Sequence, residues 1–477
     1  MTRAIRTVVA LLAALSLTAL VLRQRPNLRA RRALSMAGLA SRSGARVIRH
    51  GPMLFAAAGE RRQQLRHDLA LETAEDITRT LGTMKGVLMK LGQMASYLDE
   101  GIAPSFRLTL ARLQHSAPPM SAELAAQLIE SELGGPPDEV FAEWDPLPIA
   151  AASIGQVHRA LTHDGRAVAV KLQYPGVADT MTADLDNATL LRRVAGMAFP
   201  GLDTASLVAE LRERVIEELD YRLEARNQQL FADHFRDHPT IHVPNVLSDL
   251  STARVLTSDL VDAARFEEAV SWSQLERDLA AETINRFVFR SLYDLRAFNG
   301  DPHPGNYLFH GGGRVSFVDF GLVKHFTDAE LQPLVDAART LVIEHDPESF
   351  RAAMVAAGFI QADAPVTTAQ VVDHLSQFYE TVFDHTPRTI TSEYASAMVR
   401  RFFDTSSPLA PYSDVPRSYV VLQRINLGLY AVLGALNATA DWRGIAEEIW
   451  PFVLGPPTTP MGVAEVGWRA ERGLVAV

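Results

Sequence analysis

Two acidic clusters at a fixed separation constrain this chain more than any other feature. Asp301-Pro-His303-Pro-Gly-Asn306 is followed by Asp319-Phe320-Gly321. Between them lie Tyr307-Leu-Phe309 and Val315-Ser-Phe-Val318, two short β-prone runs joined by His310-Gly-Gly-Gly313. This pattern predicts a hairpin whose turn needs glycine. Such a hairpin swings Asp319 back towards Asn306, so oxygen ligands converge where a hard dication can be held against phosphates. Asp301 and Asn306 stand five residues apart. In protein kinases that spacing puts an Asp beside the attacking group and an Asn on one Mg²⁺, while the Asp of the later D-F-G holds the other.

A lone D-F-G also arises wherever an acidic residue closes a strand, so the upstream half must be present too. Val168-Ala-Val-Lys171 matches the strand whose lysine meets the α- and β-phosphates. Ala150-Ala151-Ala152-Ser153-Ile154-Gly155-Gln156-Val157 aligns with the glycine loop that covers them. The first two glycines have become Ala150 and Ala152, and only the third, Gly155, survives. A Cβ at those positions limits how closely backbone amides approach a phosphate, so this loop should hold nucleotide differently from a glycine loop.

Two further motifs carry a family resemblance. Lys90-Leu-Gly92-Gln93 lies in a helical stretch ahead of the nucleotide loop, and Glu218-Leu-Asp220-Tyr-Arg-Leu-Glu224-Ala-Arg-Asn227 follows Lys171. With the Ala-rich loop and the Asp301 cluster, they resemble the UbiB/AarF family of atypical kinases, from about residue 60 to 450. The resemblance implies an α+β, protein-kinase-like two-lobe fold, mostly helical, with an N-terminal helical extension. In the family the K-x-G-Q segment of that extension packs over the pocket where a protein substrate would otherwise sit. Carried over residue by residue, Lys171 becomes the nucleotide lysine, Glu224 its ion-pair partner and Asp301 the residue that orients the nucleophile. Glu218 and Asp220 become the family's E-x-D pair facing Lys90 and Gln93. Asn306 and Asp319 become the Mg²⁺ ligands, and residues 150 to 155 with Val157 cover ATP or ADP. The residues themselves predict one amphipathic helix from Leu207 to Phe231, on which Glu218 and Glu224 are close to two turns apart but not on quite the same face. His303, between two prolines, reads as a loop hydrogen-bonder.

The resemblance further implies isoprenoid-quinone or related lipid metabolism, with a membrane lipid or prenyl-lipid intermediate and quinone-biosynthesis enzymes as partners, and no nucleic acid. Two other readings stay open. One is a nucleotide-binding scaffold without turnover. The other is a small-molecule phosphotransferase, which shares the Asp-Asn-Asp logic but not the K-x-G-Q extension.

Composition removes several chemistries. The chain has 477 residues and no cysteine, which excludes disulfides, thiol catalysis and thiolate metal sites. His234 and His238 are four apart, but no Glu follows His234 as a zinc motif requires, and they read as surface residues with Pro239 ending their helix. No G-x-S-x-G nucleophile elbow accompanies His310-Gly-Gly-Gly313, so esterase chemistry falls away.

Charge is placed unevenly. Residues 1–66 contain 13 Arg, no Lys and one acidic residue, Glu60, whereas the remainder carries 33 basic against 55 acidic groups. Thr7 to Leu22 is an uncharged apolar run of 16, just short of a span. It is open to reading as a signal peptide, a signal anchor, an interfacial helix or an ordinary buried helix of a globular body. Arg23, Arg25, Arg29, Arg31 and Arg32 follow it and only Arg3 and Arg6 precede it. The positive-inside bias therefore keeps the catalytic body of a membrane-associated protein on the cytoplasmic side. The chain divides into an anchor and basic arm at 1–32, a helical extension at 60–119 and a small lobe at 120–262. A large lobe at 263–452 and a flexible tail at 453–477 complete it. Arg424 to Leu436 reads as a core helix, and Thr327-Asp-Ala-Glu330 as a capping box in place of an activation-loop platform.

Overall fold

The computed structural model describes residues 120–152, 154–185, 209, 212, 215–300, 302–402, 407–412 and 417–474. The chain forms two compact units. In the first, the described residues are mainly helix α2 (Val177–Leu185), in which Met181 and Leu185 are buried. The second unit takes in Pro119–Pro175 and Ile216–Val477 and carries every element discussed below. Lys90, Gln93, Ser153, Asp301 and the apolar run at 7–22 lie outside the described residues.

The second unit opens with α1 (Ala122–Leu133), capped by the Ser121 hydroxyl and stopped by Gly134 in the left-handed region. Four antiparallel strands follow in the order β1-β2-β3-β5: β1 (Glu143–Ala151), β2 (Gly155–Leu161), β3 (Ala167–Gln173) and β5 (Val255–Asp259). Val168, Val170 and Leu172 of β3 are completely buried and pack with Ala125 and Ile129 of α1. The alternate residue Lys171 therefore faces the other way, as the two-residue period of a strand dictates. Helix α3 (Tyr221–His234) packs against β5.

Beyond the sheet, α4 (Gln274–Leu295) is the axis of a helical lobe. β6 (Ala297–Asn299) pairs with β9 (Val323–His325), and the hairpin β7 (Tyr307–Gly311) with β8 (Arg314–Phe317) lies beside β4 (Ile241–His242). Gly311, Gly312 and Gly313 all take positive φ, so the hairpin turn uses three residues that only glycine adopts without strain. Thr327 caps α5 (Asp328–Ala338) through a reciprocal capping box with Glu330, immediately after β9. Further along come α6 (Pro347–Ala356), α7 (Thr368–Leu375), α8 (Ser392–Phe402), α9 (Arg417–Leu436) and α10 (Trp442–Ile449). α9 contributes buried Leu427, Leu429, Leu433 and Leu436 to the core. Among the described residues no helix is long and apolar enough to cross a membrane.

Three expectations are overturned. The helix predicted from Leu207 to Phe231 is interrupted at Leu219-Asp220, because Asp220 takes an extended backbone and its carboxylate accepts from the Arg222 N–H to start α3 afresh. The flexible tail contains α11 (Pro460–Glu471), whose Met461, Glu465 and Trp468 are buried. His238 is no surface residue: it is 7% exposed, and α3 already ends at His234, before Pro239. His238 Nδ1 accepts from the N–H groups of Thr240 and Ile241, so Nε2 carries the proton and faces Glu465 Oε1 at 3.4 Å. Glu465 also pairs with Arg286 at 2.8 Å and Arg290 at 2.9 Å, and Arg286 is held by Glu282 and Glu448 as well.

Burial opposes the charge on Glu465, but His238, Arg290 and Arg286 hold its carboxyl well below the usual range. Removing one partner from such a buried set leaves charge uncompensated. Glu465→Gln should therefore cost about 3–5 kcal/mol at neutral pH, read as a lower denaturant midpoint. A depressed carboxyl pKa gives stability that is full above the unfolded value and lost as pH falls. The wild-type advantage over Glu465→Gln should accordingly shrink below about pH 4.

Candidate functional site: a lysine between two carboxylates

Lys171 pairs across the sheet with Val157 of β2 and Leu256 of β5, which fixes its height in the sheet. Its ammonium meets Glu224 of α3 at 2.7 and 2.9 Å and Asp319 at 3.5 Å. Beneath it lies the ring of Tyr221, 5.2 Å from Nζ to the centroid. Asp319 is held in turn: Gly321 N–H donates to its Oδ1 at 3.0 Å, and the Asn299 amide donates to its main-chain oxygen at 2.7 Å. Phe320 is fully buried, with ring centres 4.9 Å from Phe231 of α3 and 6.4 Å from Phe287 of α4. The Asn227 amide donates to the Phe320 carbonyl. One helix thus carries Glu224, Asn227 and Phe231, and all three meet the lysine or the segment that follows Asp319.

The electrostatics follow from one ammonium facing two carboxylates. Burial pulls Lys171 down, but Asp319 and Glu224 outweigh it and hold the lysine well above its usual range. Burial pushes Glu224 up to about 7 against the pull of Lys171, and Asp319 adds to the rise. The rise of Glu224 is chiefly burial, and the carboxylates around Lys171 outnumber its single positive charge. An added dication among hard oxygen donors offsets that excess, so the donor set fits Mg²⁺ brought with a phosphate ligand.

Gly300 and the turn from His303 to Asn306 are placed by their neighbours. Gly300 N–H donates to Leu322 O at 2.6 Å, and a Cβ on Gly300 would stand 2.8 Å from the Leu322 side chain. Residue 300 is therefore glycine for close packing beside the D-F-G segment. Val318 N–H donates to the Asn306 carbonyl at 3.2 Å, and His303 Nδ1 caps its own turn by accepting from Gly305 N–H at 3.0 Å. His303 is a loop hydrogen-bonder, as its flanking prolines suggested.

The Ala-rich loop forms the hairpin expected between β1 and β2. Ala150 pairs with Val157 and Ala151 with Gln156. Ala152 N–H donates to Gly155 O at 2.8 Å, closing the hairpin, and Ile154 is buried with its carbonyl accepting from Tyr174 N–H. A Cβ on Gly155 would stand 2.1 Å from Leu172 O and 2.9 Å from the Tyr221 hydroxyl. The surviving glycine is thus required by strand packing over Tyr221. Asp220 caps α3, and Glu218 precedes the break, so the E-x-D pair is not on the helix of Glu224. Tyr221, Asn227 and Asn299 were missed as site residues. For Tyr221 and Asn227 the available signal was their spacing from Glu224 along one helix, whereas Asn299 has no local signature.

The far end of α3 is gripped by α11. Trp468 Nε1 donates to Arg236 O at 2.9 Å, Arg472 donates to Asp233 O at 2.7 Å, and the Trp468 ring lies edge-on to His238.

Comparison with known proteins agrees with this geometry. Residues 112–354 match the ABC1 atypical kinase-like domain. The chain belongs to the UbiB/AarF family of atypical kinases. Among curated members it is similar to the atypical kinase coq-8 of Caenorhabditis elegans, 29% identical over 395 residues covering 80% of this chain and 51% of that protein. It is also similar to COQ8B of Rattus norvegicus, 34% identical over 271 residues covering 56% and 51%. The chain therefore spans about half the length of the curated relatives it matches. The solved complex of Rv3197 with erythromycin from Mycobacterium tuberculosis superposes with a TM-score of 0.58 at 30% identity, covering 81% of this chain and 98% of that one. The fold is the kinase-like α+β fold expected of the family.

The raised Glu224 predicts an unusual pH response. A carboxyl with a raised folded pKa opposes folding as pH climbs from its unfolded value, near 4.3, through its folded value, here about 7. Glu224→Gln, which cannot ionise, should lose less stability than wild type between pH 5 and pH 8 in chemical denaturation without nucleotide. An equal loss in both proteins would remove the charge deficit from this account.

Proposed function

We propose that this chain is a membrane-associated, ATP-dependent phosphotransferase or ATPase of the UbiB/AarF type, serving isoprenoid-quinone or related lipid metabolism. The observation that carries it is the Lys171 ammonium held between Glu224 and Asp319 at 2.7 and 3.5 Å. In this reading Lys171 neutralises the α- and β-phosphates of the nucleotide, and Glu224 fixes the lysine's position. Asp319 and Asn306 hold Mg²⁺, which when bound screens the phosphate charge. Asp301 accepts a hydrogen bond from the attacking hydroxyl or water and orients it. The lipid assignment draws on the family resemblance and on relatives named as COQ8 proteins. The anchor is assigned to residues 1–32 and the catalytic body to the cytoplasmic side. Lys90 and Gln93 of the extension would restrict access to the site, with Glu218 and Asp220 facing them.

The use of Ala152 N–H within the hairpin favours a second reading, a scaffold that binds nucleotide and turns it over slowly or not at all. Phosphate release by the purified protein, with and without anionic liposomes, separates the two. Membrane-stimulated release supports the enzyme, and tight binding without release supports the scaffold.

Asp319→Asn provides the test of the site. A neutral amide is a poorer ligand for a hard dication, so the variant should lose Mg²⁺-dependent stabilisation by ATP or ADP in thermal-shift titration. Wild-type stabilisation in the variant would contradict the assignment.

A further inference from the structure

A cavity lies within the helical lobe, apart from Lys171 and walled chiefly by α4, α9, α10 and the 3₁₀ segment Ser376–Val382. Its volume is about 190 Å³. Protein interiors pack to crystal-like density with few voids larger than a water. An engineered cavity of about 150 Å³ already holds a benzene ring. The space is therefore that of a small organic molecule.

The lining defines the chemistry. Among the described residues no Asp, Glu, Lys, Arg or His lines it, and the walls are mostly aliphatic and aromatic. A buried anion or cation would meet no partner there, which argues against nucleotides, phosphates and carboxylates. Polar groups are few. Thr381 and Tyr430 hydrogen-bond each other at 3.1 Å. Among the described residues, the Tyr379 hydroxyl and the side-chain amides of Asn285 and Asn426 have no hydrogen-bond partner, although all three line the space. Burial makes the Tyr379 hydroxyl harder to ionise, so it faces the cavity as a neutral donor or acceptor. An apolar cavity with a few convergent polar groups is the ordinary form of a small-molecule site.

We propose that this cavity binds a small uncharged molecule, mostly hydrocarbon with one oxygen function, whose oxygen is met by Tyr379 and the two asparagines. The proposal does not depend on nucleotide binding at Lys171.

The probes are 1-octanol and its charged counterpart octanoate, titrated into the full chain. Calorimetry and the fluorescence of Trp442 and Trp450, both in the wall, give the readouts. Octanol should bind saturably and octanoate at least tenfold more weakly. Tyr379→Phe removes only a hydroxyl and should weaken octanol by about five- to tenfold, the scale of one hydrogen bond. Ala446→Phe, which fills the space from α10, should abolish binding. Absence of saturable binding, equal affinity for octanol and octanoate, or unchanged affinity in Tyr379→Phe would each overturn the proposal. Tyr379→Phe decides the matter alone if Ala446→Phe does not fold.

Discussion

One buried ammonium shared by two carboxylates is the interaction on which the rest of the structure depends. Lys171 is on a strand, Glu224 on a helix and Asp319 at the end of a hairpin, so all three elements must be in register before the contact forms. Leaving the Glu224 carboxylate or the Lys171 ammonium unpaired in this site would be costly. The carboxylates there outnumber the ammonium, and burial first, then Asp319, push Glu224 up to about 7. In the proposed function, Mg²⁺ brought with a nucleotide phosphate offsets that imbalance.

Helix α3 is the part that brings the three together. Asp220 starts it, Phe231 packs on Phe320, Arg472 at the end of α11 donates to Asp233 O in its last turn, and Trp468 of α11 donates to Arg236 O just beyond it. The Glu465 network with Arg286, Arg290 and His238 fastens α11 to α4 in turn. Glu224 is thereby supported at both ends of its helix by residues of the same chain.

What could be read from the sequence was local. The β7–β8 hairpin followed from three glycines that now take positive φ, the Thr327 cap from its box, and the burial of α9 from its apolar run. The Lys171, Glu224 and Asp319 cluster was legible through motif spacing, because each residue has a fixed place on a strand, helix or turn. The misses were contacts between residues far apart in sequence. His238 meets Glu465 across 227 positions, and nothing near either residue signals it. The break at Asp220 was hidden because apolar periodicity continues through it, and the role of Gly155 because only a built sheet shows Leu172 O and the Tyr221 hydroxyl pressing on its α-carbon. Asp301, Lys90 and Gln93 lie outside the described residues, so their parts remain those of the proposal.

If α11 acts on the site through α3 and Glu224, its effect must vanish once Glu224 is gone. The direct test is a double-mutant cycle on Mg²⁺-nucleotide affinity, pairing Trp468→Ala with Glu224→Gln in the full chain. Trp468→Ala alone should weaken binding severalfold, and the same change in the Glu224→Gln background should add almost nothing, a coupling in the range of about 0.5–3 kcal/mol for connected residues. Independent, additive losses would show that α11 only stabilises the fold, and would contradict the claim that it positions Glu224.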